Sequence, residues 1–174
     1  IRTEVVCIEN LLNHVDEEFV EVVKLLFACK GRVVVSGIGK SALIGNKIVA
    51  TLNSTGTPSI FMHAAEAIHG DLGMIQPEDV VICISKSGNT PEIKVLVPLI
   101  KAMGNKLIAM VGSEDSYLSK SADYRISCFV EKEACPNNLA PTSSTTAQLV
   151  MGDALAVCLL FCRNFTAADF AKYH

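Results

Sequence analysis

Five short runs of aliphatic and mostly β-branched residues alternate with helix-like segments, and this alternation constrains the fold more than any other feature of the chain. The runs are RVVVS, PSIFM, DVVICIS, KLIAMVG and YRISCFV. Continuous apolar runs of this length indicate strands buried on both faces, which occur in parallel sheets covered by helices. The sequence therefore predicts a doubly wound α/β fold with about five parallel strands.

The segments between these runs carry apolar residues at helical spacing. No internal repeat or low-complexity linker divides the 174 residues, so one domain is expected over residues 1–174. Residues 4–29 predict one long helix or two shorter ones. The other predicted helices cover residues 40–53, 91–103, a short segment near Tyr117, and 144–162.

Charge and hydropathy exclude several classes of protein. The net charge is −3 and no block of lysine or arginine is present, so a nucleic-acid partner is not expected. The longest apolar stretches are about ten residues, short of the roughly 20 that cross a bilayer, so no membrane partner is expected either. The first residues carry acids throughout and lack a basic leader, which favours a cytoplasmic location.

Cysteine usage agrees with a reducing compartment. The seven cysteines are odd in number and lie mostly inside apolar runs, which favours buried thiols over disulfides or a zinc site. Half of the residues are apolar or aromatic although no membrane segment is predicted. A homo-oligomer that covers part of this apolar surface is therefore expected.

The loop SKSGNTPE, residues 85–92, follows the third apolar run and leads into a predicted helix. It offers the hydroxyls of Ser85, Ser87 and Thr90 beside Gly88, which leaves backbone amides accessible. Amides at a helix N-terminus, the positive end of the helix dipole and hydroxyl donors together bind phosphate without a metal. The alternative is a capped turn in which Thr90 satisfies helix amides, but three hydroxyls exceed what a cap needs.

The loop after the first run, GIGKS, permits two nucleotide-binding interpretations. A Walker A loop requires glycine where Val34 stands, so that interpretation fails. A dinucleotide fingerprint matches at Gly37, Gly39 and Ala42, but the next strand has no acid at its tip, so a nicotinamide cofactor is not expected. Lys40 is then a candidate partner for an anionic substrate or a charged sugar oxygen; the alternative is a solvated lysine at a helix start.

The loop after the second apolar run adds polar groups at the same predicted edge of the sheet. HAAEAIHGD brings together His63, Glu66, His69 and Asp71, but their spacing matches no compact zinc signature, so they are interpreted as structural or substrate-facing groups.

The segment KEACPNNLAPTSSTTAQ precedes the last helix. Ser143 or Ser144 is predicted to cap that helix. Glu133 stands just after the last apolar run, where a carboxylate can act as a base on a bound ligand; a solvated loop glutamate is the alternative.

Together these segments resemble the sugar isomerase (SIS) domain family, and within it the arabinose 5-phosphate isomerases. The matching segments are GIGKS, STGTPS, HGDLG, SKSGNT with Glu92, EACP, LAPTSSTT, MGDALA and FTAADFA. The serine-rich loop marks the fold, whereas EACP, LAPTSSTT and MGDALA are more specific. Two features depart from the pattern. Many relatives carry a tandem CBS pair after this domain, which does not follow here, so either the enzyme is a short form or the rest of the chain is missing. Ala64 stands where relatives often have proline.

The resemblance implies a flavodoxin-like sheet and a homotetramer with intersubunit active sites. It also implies interconversion of D-arabinose 5-phosphate and D-ribulose 5-phosphate without a required cofactor, supplying Kdo for lipopolysaccharide or capsule synthesis. The catalytic candidates are Lys40, Glu92, Glu133 and His174. The substrate-binding candidates are Gly39, Ser41, His69, Ser85, Ser87, Gly88, Asn89, Thr90, Thr142 and Ser143.

An aldose–ketose isomerisation needs ring opening, proton transfer between neighbouring carbons and stabilisation of an enediolate. In this hypothesis His174 assists ring opening, Glu133 is the base, and Lys40 stabilises negative oxygen. Glu92 positions hydroxyls or shares proton transfer. The roles of Glu133 and Glu92 can be exchanged, because sequence gives no distances.

Two other functions fit the same resemblance. One is a non-catalytic sensor of a phosphosugar or of a downstream nucleotide sugar. The other is an isomerase for a different ketose phosphate. Two carboxylates in an anion site argue against a pure sensor, because phosphate binding alone does not call for them.

Overall fold

Each of the five apolar runs forms a strand of one parallel sheet, as the sequence predicts. The computed structural model describes residues 1–172. The strand order is β2-β1-β3-β4-β5, the flavodoxin-like arrangement. The strands are β1 Val33–Gly37, β2 Ser59–His63, β3 Val80–Ser85, β4 Lys106–Val111 and β5 Tyr124–Ser127.

Eight α-helices connect or flank these strands in the part of the chain that is described. The N-terminal segment forms two helices joined by a 3-10 turn over Leu11–His14, so the two-helix alternative is confirmed. A second 3-10 turn covers Asp71–Met74. The helices are α1 Arg2–Asn10, α2 Glu17–Ala28, α3 Lys40–Ser54, α4 Ala64–Ala67, α5 Pro91–Met103, α6 Tyr117–Ser121, α7 Ser143–Cys162 and α8 Ala167–Phe170.

The two faces of the sheet are each buried under a separate helical layer. Alternate residues of a strand point to opposite faces, so Val35 and Ile82 pack into one cluster while Val34 and Val81 pack into the other. The first cluster includes residues of α2, α3 and α7, and the second includes residues of α4, α5 and α6. Burial on both faces explains why the strands read as continuous apolar runs.

Helix α7 is the longest helix and lies in the first of these layers. Its 20 residues are apolar enough to cross a membrane by length and composition alone, so the argument from short apolar stretches does not exclude this helix. Nine of its residues are buried, and it packs against α1, α2 and α3. This burial is what the core helix of a layered α/β domain requires.

The seven cysteines are all unpaired, as expected. Cys7, Cys83 and Cys128 are buried, whereas Cys162 is exposed and the remaining three are partly covered. Burial raises the pKa of Cys83 to about 12, so this thiol stays protonated and packs as a small apolar side chain.

The chain order of the strands reverses between β1 and β3, which lie side by side in the sheet with Gly37 opposite Ile84. The connection that leaves β1 crosses to one side of the sheet, and the connection that leaves β3 crosses to the other. A crevice opens beyond the carboxyl ends of strands at such a switch point, and ligands bind there.

Candidate functional site

A pocket of about 270 Å³ lies at this switch point. Its walls come from the loops that follow β1 and β3 and from the beginning of α7. The lining residues are Ile38, Lys40, Ser41, Ile84, Ser85, Lys86, Ser87, Thr90, Pro141, Ser144, Thr145 and Gln148.

Three helix N-termini meet at the pocket. Lys40 and Ser41 open α3, Thr90 is the residue before α5, and Ser144 and Thr145 belong to the first turn of α7. The positive dipole end of each helix favours an anion there, and at α7 the Thr142 and Ser144 amides already donate to the carboxylate of Glu133. The loops after β1 and β3, separated by more than 40 residues, are thus brought together as the sequence predicts.

The loop SKSGNT is held in one shape by its own hydrogen bonds. The Gly88 amide donates to Ser85 Oγ over 3.1 Å, and the Asn89 amide donates to Ser87 Oγ over 3.2 Å. Asn89 Oδ1 accepts a hydrogen bond of 3.0 Å from the Tyr117 amide, which ties the loop to α6. Ser85 and Ser87 therefore shape the loop as well as line the pocket.

Thr90 precedes α5 but its hydroxyl does not cap that helix. Thr90 Oγ1 is buried and has no hydrogen-bond partner among residues 1–172. A capped turn was the main alternative to phosphate binding in this loop, and it requires the bond that is absent here. The hydroxyl is instead available to a ligand in the pocket.

Two ammonium groups border the pocket. Lys40 is exposed and forms no ion pair with the described residues. Lys86 Nζ lies 2.6 Å from Glu133 Oε1, and about half of the Lys86 side chain is exposed. A free cation and a paired cation therefore stand at the same anion-binding pocket.

The carboxylate of Glu133 is fully buried behind the pocket wall and accepts five hydrogen bonds. Oε1 accepts from Lys86 Nζ at 2.6 Å and from Ser144 Oγ at 2.5 Å. Oε2 accepts from the Thr142 amide at 2.8 Å, from Thr142 Oγ1 at 3.1 Å and from the Ser144 amide at 3.1 Å. Glu133 does not line the pocket itself, but it is hydrogen-bonded to Lys86 and Ser144, which do.

These donors decide the charge of Glu133. Burial alone would raise its pKa, but the hydrogen bonds from Lys86, Ser144 and the two backbone amides outweigh burial and lower the pKa to about 2. Glu133 is therefore ionised at neutral pH. A carboxylate with so low a pKa is a weak proton acceptor there.

The prediction that Ser143 or Ser144 caps α7 was wrong. Both serines lie inside the first turn, and Thr142 is the residue before the helix, without a side-chain cap bond. The Thr142 and Ser144 amides, which a cap would satisfy, donate instead to Glu133. Glu133 lies nine residues before Thr142 and eleven before Ser144 in the chain. A buried carboxylate at a helix N-terminus is favoured by the helix dipole and replaces the local cap.

The other catalytic and binding candidates are not among the residues that line the pocket. Glu92 is half-buried on the first turn of α5 and accepts no hydrogen bond from residues 1–172. His69 is exposed in the turn after α4, and His174 lies outside the described residues. The candidates Gly39, Gly88, Asn89, Thr142 and Ser143 flank the lining residues in sequence.

The histidine loop shows no metal-binding arrangement among residues 1–172. His63 precedes α4 and its Nδ1 accepts a hydrogen bond of 3.3 Å from the Ala65 amide. His63 thus has a structural role, which is one of the two roles, structural or substrate-facing, that the sequence suggests for this loop.

Four polar residues of the pocket were missed by sequence reasoning: Lys86, Ser144, Thr145 and Gln148. Lys86 stands inside the serine-rich loop, so its position was a usable signal. Ser144 was singled out only as a cap. Gln148 reads as part of an apolar helix, and its spacing of four residues from Ser144 was the available signal, since residues four apart share one helix face.

A flavodoxin-like sheet with an anion-binding pocket at its switch point defines an α/β domain that binds small anionic ligands. The SIS domain family matches residues 26–158 of the chain, about three quarters of its length. The chain belongs to the SIS domain family.

Its relatives include named isomerases. Arabinose 5-phosphate isomerase KdsD of Pseudomonas aeruginosa is 56% identical over 167 residues, which cover 96% of this chain and 51% of that protein. Probable arabinose 5-phosphate isomerase of Haemophilus influenzae is 53% identical over 165 residues, which cover 95% of this chain and 49% of that protein. The chain thus spans about half the length of the curated relatives it matches.

A solved structure gives a closer match in length. A protein of Escherichia coli CFT073 in complex with arabinose 5-phosphate superposes with a TM-score of 0.96 and is 46% identical. The match covers 99% of this chain and 92% of that chain. The flavodoxin-like fold predicted from the family resemblance is therefore confirmed.

Proposed function

We propose that this chain is an aldose–ketose isomerase that interconverts D-arabinose 5-phosphate and D-ribulose 5-phosphate through an enediol. The observation that carries the proposal is the convergence of three helix N-termini on one pocket, where the buried Thr90 hydroxyl has no partner among residues 1–172. Relatives named arabinose 5-phosphate isomerases, and a structural neighbour in complex with arabinose 5-phosphate, support the choice of substrate.

The phosphate group of the substrate occupies the loop Ser85–Thr90 in this proposal. The loop offers the Thr90 hydroxyl and the N-terminus of α5, and its backbone is fixed before the ligand arrives by the bonds from Gly88 and Asn89. A preformed loop binds its anion without a further ordering cost. The sugar then extends towards α3 and α7, whose residues form the other walls.

Proton transfer requires a carboxylate that can accept a proton from a carbon atom. Glu133 is ill suited, because five hydrogen bonds occupy its oxygens and its pKa lies near 2. Glu92 stands at the same edge of the sheet with its carboxylate uncommitted among the described residues. We therefore assign proton abstraction to Glu92 and the positioning of Lys86 and Ser144 to Glu133.

The negative charge of the enediolate needs a cation nearby. Lys40 is the better candidate of the two pocket lysines, because Lys86 is already paired with Glu133 whereas Lys40 has no ion-pair partner in residues 1–172. An unpaired ammonium group stabilises developing oxyanion charge without first losing another partner. We leave ring opening with His174, which the resemblance implicates as an active-site group.

The family resemblance supports a further set of proposals on domain extent, location, assembly and pathway. We assign residues 1–174 to a single SIS domain that works in the cytoplasm as a homotetramer with active sites between subunits. Its product supplies Kdo synthesis, and the domain can respond to a downstream nucleotide sugar. Exposed apolar side chains support an assembly, since a monomer rarely leaves many large ones in water. Those that are more than two thirds exposed include Leu12, Leu43, Leu139 and Phe161.

A product assay with a lysine variant tests the function. The purified protein is expected to convert ribulose 5-phosphate into arabinose 5-phosphate, and Lys40→Met is expected to lower kcat/KM roughly 10- to 100-fold, the effect of losing one charge-assisted hydrogen bond. The control Lys94→Met removes the same charge from an exposed position of α5 and is expected to leave kcat/KM unchanged.

The outcomes separate the rival functions. Binding of a phosphosugar without turnover would identify a sensor. Turnover of a hexulose or sedoheptulose phosphate in place of ribulose 5-phosphate would identify a different isomerase. Equal activity of Lys40→Met and the wild type would remove Lys40 from the site.

A further inference from the structure

Gln148 is a buried polar residue with an unused hydrogen-bond acceptor in the wall of the pocket. The residue is 1% exposed, and its Oε1 atom is buried with no partner among residues 1–172. Folded proteins ordinarily pair buried acceptors, because an unpaired one costs free energy. An exception in a residue that lines a pocket points to a ligand that supplies the missing donor.

The packing of α7 fixes Gln148 in this position. Ser144, one helical turn earlier, also lines the pocket, so the two residues share the face that borders it. One turn later, Gly152 lies so close to Ile48 of α3 that a methyl group on Gly152 would overlap the isoleucine. This close packing of α7 against α3 holds Gln148 at the pocket wall.

The chemistry of the pocket indicates what the donor is. The other polar side chains that line the pocket are two ammonium groups, which only donate hydrogen bonds, and six hydroxyls, which donate or accept them. The ammonium groups belong to Lys40 and Lys86, and the hydroxyls to Ser41, Ser85, Ser87, Thr90, Ser144 and Thr145. A phosphate dianion only accepts hydrogen bonds, so it satisfies those groups but not a carbonyl oxygen. A sugar hydroxyl carries a hydrogen that the carbonyl can accept.

We propose that Gln148 accepts a hydrogen bond from a hydroxyl group of the bound sugar phosphate and thereby selects hydroxylated phosphate esters over simple ones. This inference rests on the proposed binding of a phosphosugar in the pocket, and it adds a specificity-determining residue to it. A site built to pair with a hydroxyl discriminates strongly against ligands that lack it, because its buried polar group is then left unpaired.

Two ligands and two variants test this role. Calorimetry would compare arabinose 5-phosphate with n-pentyl phosphate, which has the same phosphate and chain length but no hydroxyls. The Gln148→Met variant is expected to weaken arabinose 5-phosphate binding roughly 5- to 100-fold and to change pentyl phosphate binding less than about 2-fold. The control Gln76→Met makes the same change at an exposed residue near the start of β3 and is expected to alter neither.

The unliganded variant gives a second measurement. Removing an unpaired buried acceptor is expected to leave Tm equal to or above that of the wild type. The inference would be overturned if Gln148→Met bound both ligands as tightly as the wild type. It would also be overturned if the variant had a lower Tm and lost affinity for both ligands equally. If the wild-type protein binds arabinose 5-phosphate and pentyl phosphate equally well, the role of Gln148 is wrong but phosphate binding in the pocket is still supported. If the wild-type protein binds neither ligand, the proposed function is wrong as well.

Discussion

Replacing Glu133 with glutamine is expected to destabilise the protein by about 3 kcal/mol at pH 7, because a pKa lowered from 4.5 to about 2 corresponds to that much stabilisation of the ionised form. For a chain of this size the loss lowers Tm by roughly 6–12 °C. Turnover is expected to fall about 100-fold, because Lys86 and Ser144 lose the partner that positions them. Thermal unfolding and steady-state kinetics measure both effects.

The pH dependence of stability gives the same test without a mutation. Because the pKa of Glu133 is lower in the folded state, its contribution is complete above about pH 5 and is lost as the pH falls from 4.5 towards 2. The glutamine variant is expected to lack this part of the acid transition. Glu92→Gln is the matched control: turnover falls roughly 100- to 10,000-fold with little change in Tm. Equal Tm values for Glu133→Gln and the wild type at pH 7 would show that the five hydrogen bonds do not stabilise the fold.

Replacing Gly88 with alanine is expected to weaken phosphosugar binding about 100-fold. Gly88 has a φ of +62°, and a methyl group on it would overlap the side chain of Ser116 at the start of α6. The loop must then move away, which breaks the bond from the Gly88 amide to Ser85 and displaces the groups that face the phosphate. A displacement of about 1 Å in a binding site is enough for an effect of this size.

Gly104→Ala separates the overlap from backbone strain. Gly104 also has a left-handed backbone, with φ +84°, but a methyl group there meets nothing within 4 Å. Both alanine variants therefore bear the cost of an unfavourable φ, of the order of 1 kcal/mol, and only Gly88→Ala is expected to lose affinity. Equal phosphosugar affinities of the two variants, measured by calorimetry, would exclude the proposed phosphate loop.

The parts of the fold that depend on local pattern could be predicted from the sequence. Apolar runs indicated the five strands, and Pro91 with the preceding hydroxyls marked the start of α5. The meeting of Lys40 with the serine-rich loop also followed, because the carboxyl ends of neighbouring parallel strands share one edge of the sheet.

The parts that depend on side chains from distant segments could not be predicted. Glu133 satisfies the amides of α7, and no local pattern distinguishes this arrangement from a serine cap. The burial of that carboxylate and its pairing with Lys86, 47 residues away, set its pKa and changed the role we assign to it. Gln148 reads as an ordinary helix residue until its missing partner is seen.

The most direct test of the proposed chemistry is NMR of the purified protein with D-ribulose 5-phosphate in deuterated buffer containing a chelator. An enediol isomerase removes a proton from C1 of the ketose and returns one to C2. We expect D-arabinose 5-phosphate that carries solvent deuterium at C2, and loss of this product in Glu92→Gln. Binding of ribulose 5-phosphate without formation of any arabinose 5-phosphate would contradict the account and identify the pocket as a sensor.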